Sequence, residues 1–273
     1  MALCCHQRFR SRPPGAISEY DCLGMTFLQS WLAAVPQLLP AVGLTMAFAL
    51  CAWGLRAITA TAAFVGVLLT VVLCLAAGPG ALLPVFVVFL LTYFTTRMGH
   101  RKKERLGTGE RQHGRGPLQI LANVGASALC AAPLLATGHA RHILLAGASA
   151  ALAEAAGDTV SSELGQTFGG TPRLITSFRR VAPGQDGGIT VAGTVFSLIA
   201  IYVVCAASQW SGLLLPRYYW TVFAAAFFGT IVDSLLGATL ERPGRLGNNS
   251  VNFTSTAFAA ALAIGVIFAQ RWG

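Results

Sequence analysis

The chain has 273 residues, 55% of them apolar and only 11% charged, with a net charge of +9 at neutral pH. An ordinary soluble domain carries about 25% charged residues, so water is not the main solvent here. The Lys and Arg residues fall between apolar blocks rather than along an aromatic-interleaved amphipathic face, which argues against nucleic acid as a partner and for a lipid bilayer.

Apolar blocks of about 17 to 22 residues recur along the chain. Eight spans are predicted in chain order: 28–52, 57–77, 81–96, 118–137, 142–160, 189–208, 218–239 and 251–270. The expected fold is all-α, a polytopic transmembrane helical bundle of seven to eight spans. Residues 1–27 read as an N-terminal tail compatible with disorder, and 28–273 as a single membrane domain. The tail holds three Arg and no apolar core, so it does not read as a cleavable signal peptide, and Met25 is an alternative start. Pro36, Gln37 and Pro40 weaken the first span, whose helix should begin near Pro40 and run short. Cys51, Cys74, Cys130 and Cys205 lie inside apolar blocks without metal-ligand spacing and read as packing residues. Runs of small residues such as Ala146-Gly147-Ala148-Ser149-Ala150 allow helices to approach closely in lipid.

Charge sets the expected topology. The segment from Arg97 to Arg115 carries seven Lys and Arg residues, and with eight spans the connections 53–56, 161–188 and 240–250 share its side. That side then holds 13 of the 19 basic residues, which predicts that it is cytoplasmic. The run Arg101-Lys102-Lys103 reads as a topological anchor, with contact to anionic lipid as the next reading.

Three polar constellations stand out against the apolar background. A carboxylate near the centre of a span costs roughly 2.5 to 3.5 kcal/mol on insertion scales, so Glu154, Asp158 and Asp233 must face protein, water or a ligand. Glu154 and Asp158 are four residues apart and share a helix face, which Ser161 and Ser162 continue. Two readings stay open for Asp158: it caps a helix break or satisfies buried backbone, or it ligates a divalent cation, since oxygen ligands on adjacent turns suit Mg²⁺ carrying a phosphate substrate. The segment Pro183-Gly184-Gln185-Asp186-Gly187-Gly188-Ile189-Thr190 is either a plain turn before the sixth span or an anion cradle, with Arg173, Arg179 and Arg180 upstream. The third constellation joins Asp233 to Asn248-Asn249-Ser250-Val251-Asn252. Asn249 and Asn252 share a face, where they cap the helix or bind a ligand, and Asn123 in the fourth span either bonds across helices or contacts substrate.

The motif order is itself informative: Thr96-Arg97-Met98-Gly99 with Lys102-Lys103-Glu104, Gly114-Arg115 with Gln119-Ile120-Leu121-Ala122-Asn123, then Gly157-Asp158-Thr159 with Ser162-Glu163-Leu164-Gly165. Pro172-Arg173-Leu174-Ile175-Thr176, Gly187-Gly188-Ile189-Thr190, Asp233-Ser234-Leu235-Leu236-Gly237-Ala238-Thr239 and Asn249-Ser250-Val251-Asn252 follow. Together these strings resemble the integral membrane family of transmembrane protein 19, formerly a domain of unknown function, over roughly residues 40–270. Gly116-Pro117 and Val160-Ser161 depart from the family's usual strings. The family includes the plant phytyl-phosphate kinase of tocopherol synthesis. The resemblance therefore implies phosphoryl transfer from a nucleotide such as CTP to a prenyl or phytyl monophosphate. On that reading Asp158, Glu163 and Asp233 hold Mg²⁺, Arg173 acts with them on the phosphates, and the Gly187-Gly188 backbone contacts the same groups. Asn123, Asn249, Asn252, Lys102 and Arg179 bind substrate. A transporter is the alternative, because intramembrane carboxylates beside Gly-rich breaks also mark ion and substrate paths; a lipid-binding role is the third. The topology predicts that a cysteine placed at Ser177 reacts with an impermeant maleimide only from the cytoplasmic side. Labelling only from the exterior would overturn it.

Overall fold

Lipid offers backbone N–H and C=O groups no partners, so a spanning segment has to close its hydrogen bonds within itself. The chain does so with helices. The computed structural model describes residues 39–107 and 114–270; the predicted tail 1–27 and residues 28–38 of the first predicted span lie outside the described residues. From Ala41 onward the chain forms one compact unit, and of the other, Met1–Pro40, only Leu39 and Pro40 are described.

The first helix, α1, covers Leu39–Gly54 and is shorter than a full span, as the prolines predict. Seven longer apolar helical stretches follow among the described residues, each long and apolar enough to cross a membrane. They contain α2 (Ala60–Ala77), α3 (Leu82–Arg97), α5 (Pro117–Ala131), α6 (Arg141–Phe168), α7 (Val191–Trp210), α8 (Tyr219–Leu236) and α9 (Asn248–Ala269). A short polar helix, α4 (His100–Arg105), follows α3. A two-residue antiparallel pair, β1 (Arg173–Leu174) with β2 (Gly188–Ile189), closes the loop between α6 and α7. After α8 the chain widens into one π-helical turn, Gly237–Glu241.

The centre of the bundle is α6. Of its apolar stretch 89% is buried inside the protein, against 28 to 44% in the other six spans. Its sequence explains this, because Ala, Gly and Ser let neighbours reach its backbone from every side. At Gly157 a Cβ would meet Ile201 Cγ1 of α7 at 2.7 Å, and at Gly147 it would meet Ile264 of α9 at 2.7 Å. From α8, Gly229 does the reverse: its missing Cβ leaves room for Glu154 Cγ at 2.5 Å and Ala259 Cβ at 2.9 Å. The helix also runs unbroken to Phe168. Asp158 therefore caps no helix break.

Four connections gather at one end of the bundle. Arg97 Nη2 donates to the Leu55 carbonyl at 2.9 Å, Thr59 N to the Arg115 carbonyl at 3.1 Å, and Lys102 Nζ to the Thr167 carbonyl at 2.7 Å. Gly187 rests on Gly237 and Ala238 so closely that a Cβ would lie 2.4 Å from Ala238 Cβ. At the opposite end Arg141 donates to the carbonyls of Ala76 and Ala77, both at 2.8 Å, and so closes the C-terminus of α2. The loops expected to share one side thus do so, and their end is the basic one. Replacing Gly229 by Val forces a branched side chain between α6, α8 and α9 and should destabilise the protein by about 1 to 3 kcal/mol. Gly265→Ala, where nothing lies within 4 Å of the added carbon, should be neutral. Thermal unfolding in detergent separates the two, and equal melting temperatures would refute the packing argument.

Candidate functional site

Since α6 stays helical through its polar segment, Asp158, Ser161 and Ser162 leave it near its basic end, facing α7 and α8. Across from them α8 presents Asp233, and Asp158 and Asp233 line the same cavity from facing helices. Ser255 of α9 orients Asp233 by donating from Oγ to Oδ2 at 3.0 Å. One turn deeper lies Glu154, 1% exposed, with no hydrogen-bond partner on either carboxylate oxygen. Three helices therefore converge on an acidic centre.

That centre opens into a cavity of about 350 Å³. Four acidic side chains line it, Asp158, Asp186, Asp233 and Glu241, together with the hydroxyls of Ser161, Ser162, Thr190 and Thr194. Among the described residues no Lys or Arg lines it. Carboxylates gathered around one cavity repel unless a proton or a cation lies between them, and a phosphate entering such a cavity meets the same repulsion. The residues present therefore fit a divalent cation. Among the described residues, however, no three Asp, Glu, His or Cys side chains come together to hold a metal by themselves. Two protein carboxylates with water and substrate phosphates completing the shell is the usual Mg²⁺ arrangement.

The glycine-rich loop walls this cavity, and its glycines have a steric role. Gly187 has φ +74° and sits against the π-helical turn after α8, an approach no side chain would permit. Gly188 already donates its N–H to the Gln185 carbonyl at 2.9 Å. Pairing of β1 with β2 sets Arg173 opposite Ile189 and Leu174 opposite Gly188, so the structure brings Arg173 to the Gly187-Gly188 turn. Its side chain is exposed, bonds to the Phe178 carbonyl at 2.9 Å and is not among the lining residues. Arg179 is exposed in the same loop.

Other predicted positions fall elsewhere. Glu163 is not brought to the Asp158–Asp233 pair: Oε1 accepts from Thr96 Oγ1 at 3.1 Å, and Oε2 pairs with Lys103. Lys103, 1% exposed, is no lipid-facing anchor, because its ammonium also donates to the last carbonyls of α3, Thr95 at 2.9 Å and Thr96 at 3.2 Å. Its neighbour Lys102 closes the end of α6 through Thr167. Asn252 Nδ2 donates to Asn123 Oδ1 at 3.4 Å, the cross-helix bond expected as one reading of Asn123. Gly247, not an Asn, is the N-cap of α9, with no side-chain cap bond; Asn248 instead lines the acidic cavity, and Asn249 does not. Asp186, Glu241 and Asn248 stand within the polar strings of the sequence but are assigned no site role there. The first two were visible as acidic groups flanking named glycine and Asp233 motifs.

Fold and site together define a polytopic α-helical membrane protein with a buried acidic centre at its basic end. The chain belongs to the DUF92 integral membrane protein family, whose model matches residues 43–260. It is 32% identical over 203 residues to an uncharacterised membrane protein of Synechocystis, covering 72% of this chain and 78% of that protein. To the protein PGR of Arabidopsis thaliana it is 32% identical over 239 residues, covering 69% and 82% respectively. To the chloroplastic protein VTE6 of the same plant it is 26% identical over 194 residues, covering 68% of this chain and 58% of VTE6. No solved structure matches.

The Lys103–Glu163 pair makes a separable prediction. Lys103→Met leaves a mostly buried carboxylate and two helix-end carbonyls without their partner and should destabilise by about 3 kcal/mol, whereas Lys103→Met with Glu163→Leu should recover most of that loss. A double variant no more stable than Lys103→Met alone would show that Glu163 does not depend on this partner.

Proposed function

We propose that this protein is a membrane kinase that moves the terminal phosphoryl group of a nucleoside triphosphate, CTP in the simplest reading, onto a prenyl or phytyl monophosphate. The observation that carries the proposal is the Asp158–Asp233 pair on facing helices at the floor of a polar cavity. Family membership supports it, since the motifs resemble those of a family that includes a plant phytyl-phosphate kinase. In the reaction an oxygen of the acceptor monophosphate forms a new bond to the terminal phosphorus, the bond from that phosphorus to the bridging oxygen breaks, and nucleoside diphosphate leaves. A phosphate monoester dianion carries no proton on its attacking oxygen, so no general base is needed. Such chemistry asks for positioning and charge neutralisation rather than covalent catalysis.

Asp158 and Asp233 would hold Mg²⁺, which when bound neutralises charge on the donor phosphates. Ser255 keeps Asp233 in place. The Gly187-Gly188 turn shapes the cavity wall, while Arg173 and Arg179 on the same loop, with Lys102 on the same end of the bundle, supply positive charge outside it. Asn249 and Asn252 belong to the helix that carries Ser255, from which Asn252 steadies Asn123. Glu163 acts through Lys103 and Thr96 rather than on the metal. The positive excess at this end supports a cytoplasmic orientation for it, where nucleotide is available.

Glu154 favours a second reading. A buried carboxylate without a protein partner needs a proton, water or cation, and such groups line ion paths in transporters. Purified protein in lipid nanodiscs separates the two. The kinase should consume nucleotide with Mg²⁺, faster when prenyl monophosphate is added. Asp158→Asn and Asp233→Asn should each lower the rate on the order of 100-fold or more with melting temperature nearly unchanged, and the double variant should be scarcely worse. Absence of nucleotide consumption, together with substrate flux that Glu154→Gln abolishes, would replace the kinase with a transporter.

A further inference from the structure

A second and larger cavity, about 630 Å³, lies between α1, α2, α3 and α5. Such a volume falls within the roughly 300 to 1,000 Å³ of ordinary ligand sites. Phe48, Ala63, Val67, Val88, Phe89 and Val124 make most of it apolar. It reaches Thr70, ten residues along α2 from Ala60, and so extends about 15 Å from the basic end toward the middle of the membrane. At the basic end its walls change character: Arg56, Arg97 and Arg115 line it, with Tyr93, Thr96 and His100, and of the three arginines Arg97 and Arg115 have their guanidinium groups fixed by hydrogen bonds. Among the described residues the acidic cavity has no Lys or Arg in its lining and the larger cavity no Asp or Glu, so the two cavities differ in the sign of their charge.

Both guanidinium groups are held in place. Arg97 donates to the Tyr93 hydroxyl and to the Leu55 carbonyl, and lies over the Tyr93 ring at 4.2 Å. Arg115 Nη2 donates to Thr96 Oγ1 at 3.1 Å, and the backbone of Arg115 is pinned to the strand-like segment before α2 by bonds with Ala57 and Thr59. Gly114 makes that fit possible, since a Cβ there would lie 2.8 Å from the Arg56 carbonyl oxygen. Planar guanidinium groups fixed in this way suit the oxygens of a phosphate. Thr96, which accepts from Arg115, donates in turn to Glu163 Oε1 at 3.1 Å, so this end of the cavity abuts α6, the helix that carries Asp158.

We propose that this cavity binds a single-chain phosphate monoester, with the phosphate on Arg97 and Arg115 and the apolar chain running along α2 into the membrane. The occupant has a single chain because about 630 Å³ bounded by α1, α2, α3 and α5 is the size of an ordinary ligand site, and it ends in phosphate because Arg97 and Arg115 stand at the same end. The proposal deepens the kinase reading by locating the acceptor, and rests on it only for that role; binding itself is independent of catalysis.

The test uses the full chain in lipid nanodiscs, without nucleotide, and measures binding of dodecyl phosphate by native mass spectrometry and by competition against a radiolabelled dodecyl phosphate. Arg97→Gln and Arg115→Gln should each weaken binding about tenfold or more, the loss expected for a charge-assisted hydrogen bond. Gly66→Leu should do the same from the other end: its added Cβ has only Ile120 Cγ2 at 3.7 Å, so the side chain fits but fills the tail space. Dodecanol and inorganic phosphate should compete weakly. Full competition by inorganic phosphate would make this a free-anion site, and full competition by a two-chain phosphatidate would make it a bilayer headgroup site; either overturns the proposal. So does Gly66→Leu or Arg115→Gln binding as tightly as the wild type while the variant remains folded by melting temperature. Binding without any nucleotide consumption would leave the cavity standing and sink the kinase. Consumption whose KM for prenyl monophosphate is untouched by Gly66→Leu and Arg115→Gln would do the opposite.

Discussion

The structure depends on one constraint: carboxylates on α6 cannot face lipid, so α6 must be enclosed on all sides. An enclosed helix in a membrane gains little from hydrophobicity, because lipid tails are as apolar as Leu; it gains from close contact over small residues. The Ala and Gly of α6 serve that contact, and Gly229 of α8 completes it by leaving room for the Glu154 side chain. With Glu154 fixed, Asp158 one turn on emerges at the junction with α7 and α8, and Asp233 meets it there. The acidic centre thus follows from packing around a single helix.

The two ends of the bundle differ in how they use polar groups. At one end Arg141 finishes α2 by bonding its terminal carbonyls, a structural use of charge. At the other, Lys103 finishes α3 in the same way, yet the remaining polar groups exceed what helix termination requires. The surplus divides by sign. Acids with hydroxyls occupy the cavity among α6, α7 and α8, and arginines stand at the mouth of the apolar cavity beside α2 and α3. Thr96 joins the two sides, accepting from Arg115 and donating to Glu163 of α6. A phosphoryl donor carried by a cation and an anionic acceptor held by arginines need this kind of separation up to the point where they meet.

The bundle was largely legible in the sequence because twenty consecutive apolar residues have one stable conformation in lipid. Spans 57–77, 81–96 and 118–137 differ from their helices by only a few residues. The fifth span was read too short, ending at 160, because Asp158, Ser161, Ser162 and Glu163 look like a loop when the surrounding protein is invisible; α6 carries them to Phe168 because α7, α8 and the α4 segment supply their partners. The same blindness placed Glu163 with Asp158. They are five residues apart, and helix geometry turns them to different faces, one toward Asp233 and the other toward Lys103.

What the sequence by itself determined is what each segment must do in lipid: form helices, bury Glu154, Asp158 and Asp233, and gather basic loops at one end. Those outcomes follow from transfer energies and backbone pairing, which act residue by residue. Only the tertiary structure decided who meets whom. It set Asp233 rather than Glu163 beside Asp158, turned Arg173 outward, and pinned Arg115 to Ala57 and Thr59 across more than fifty residues of chain. Such pairings arise from helix faces and steric fit at a few glycines, and nothing in the order of residues alone states which faces will touch.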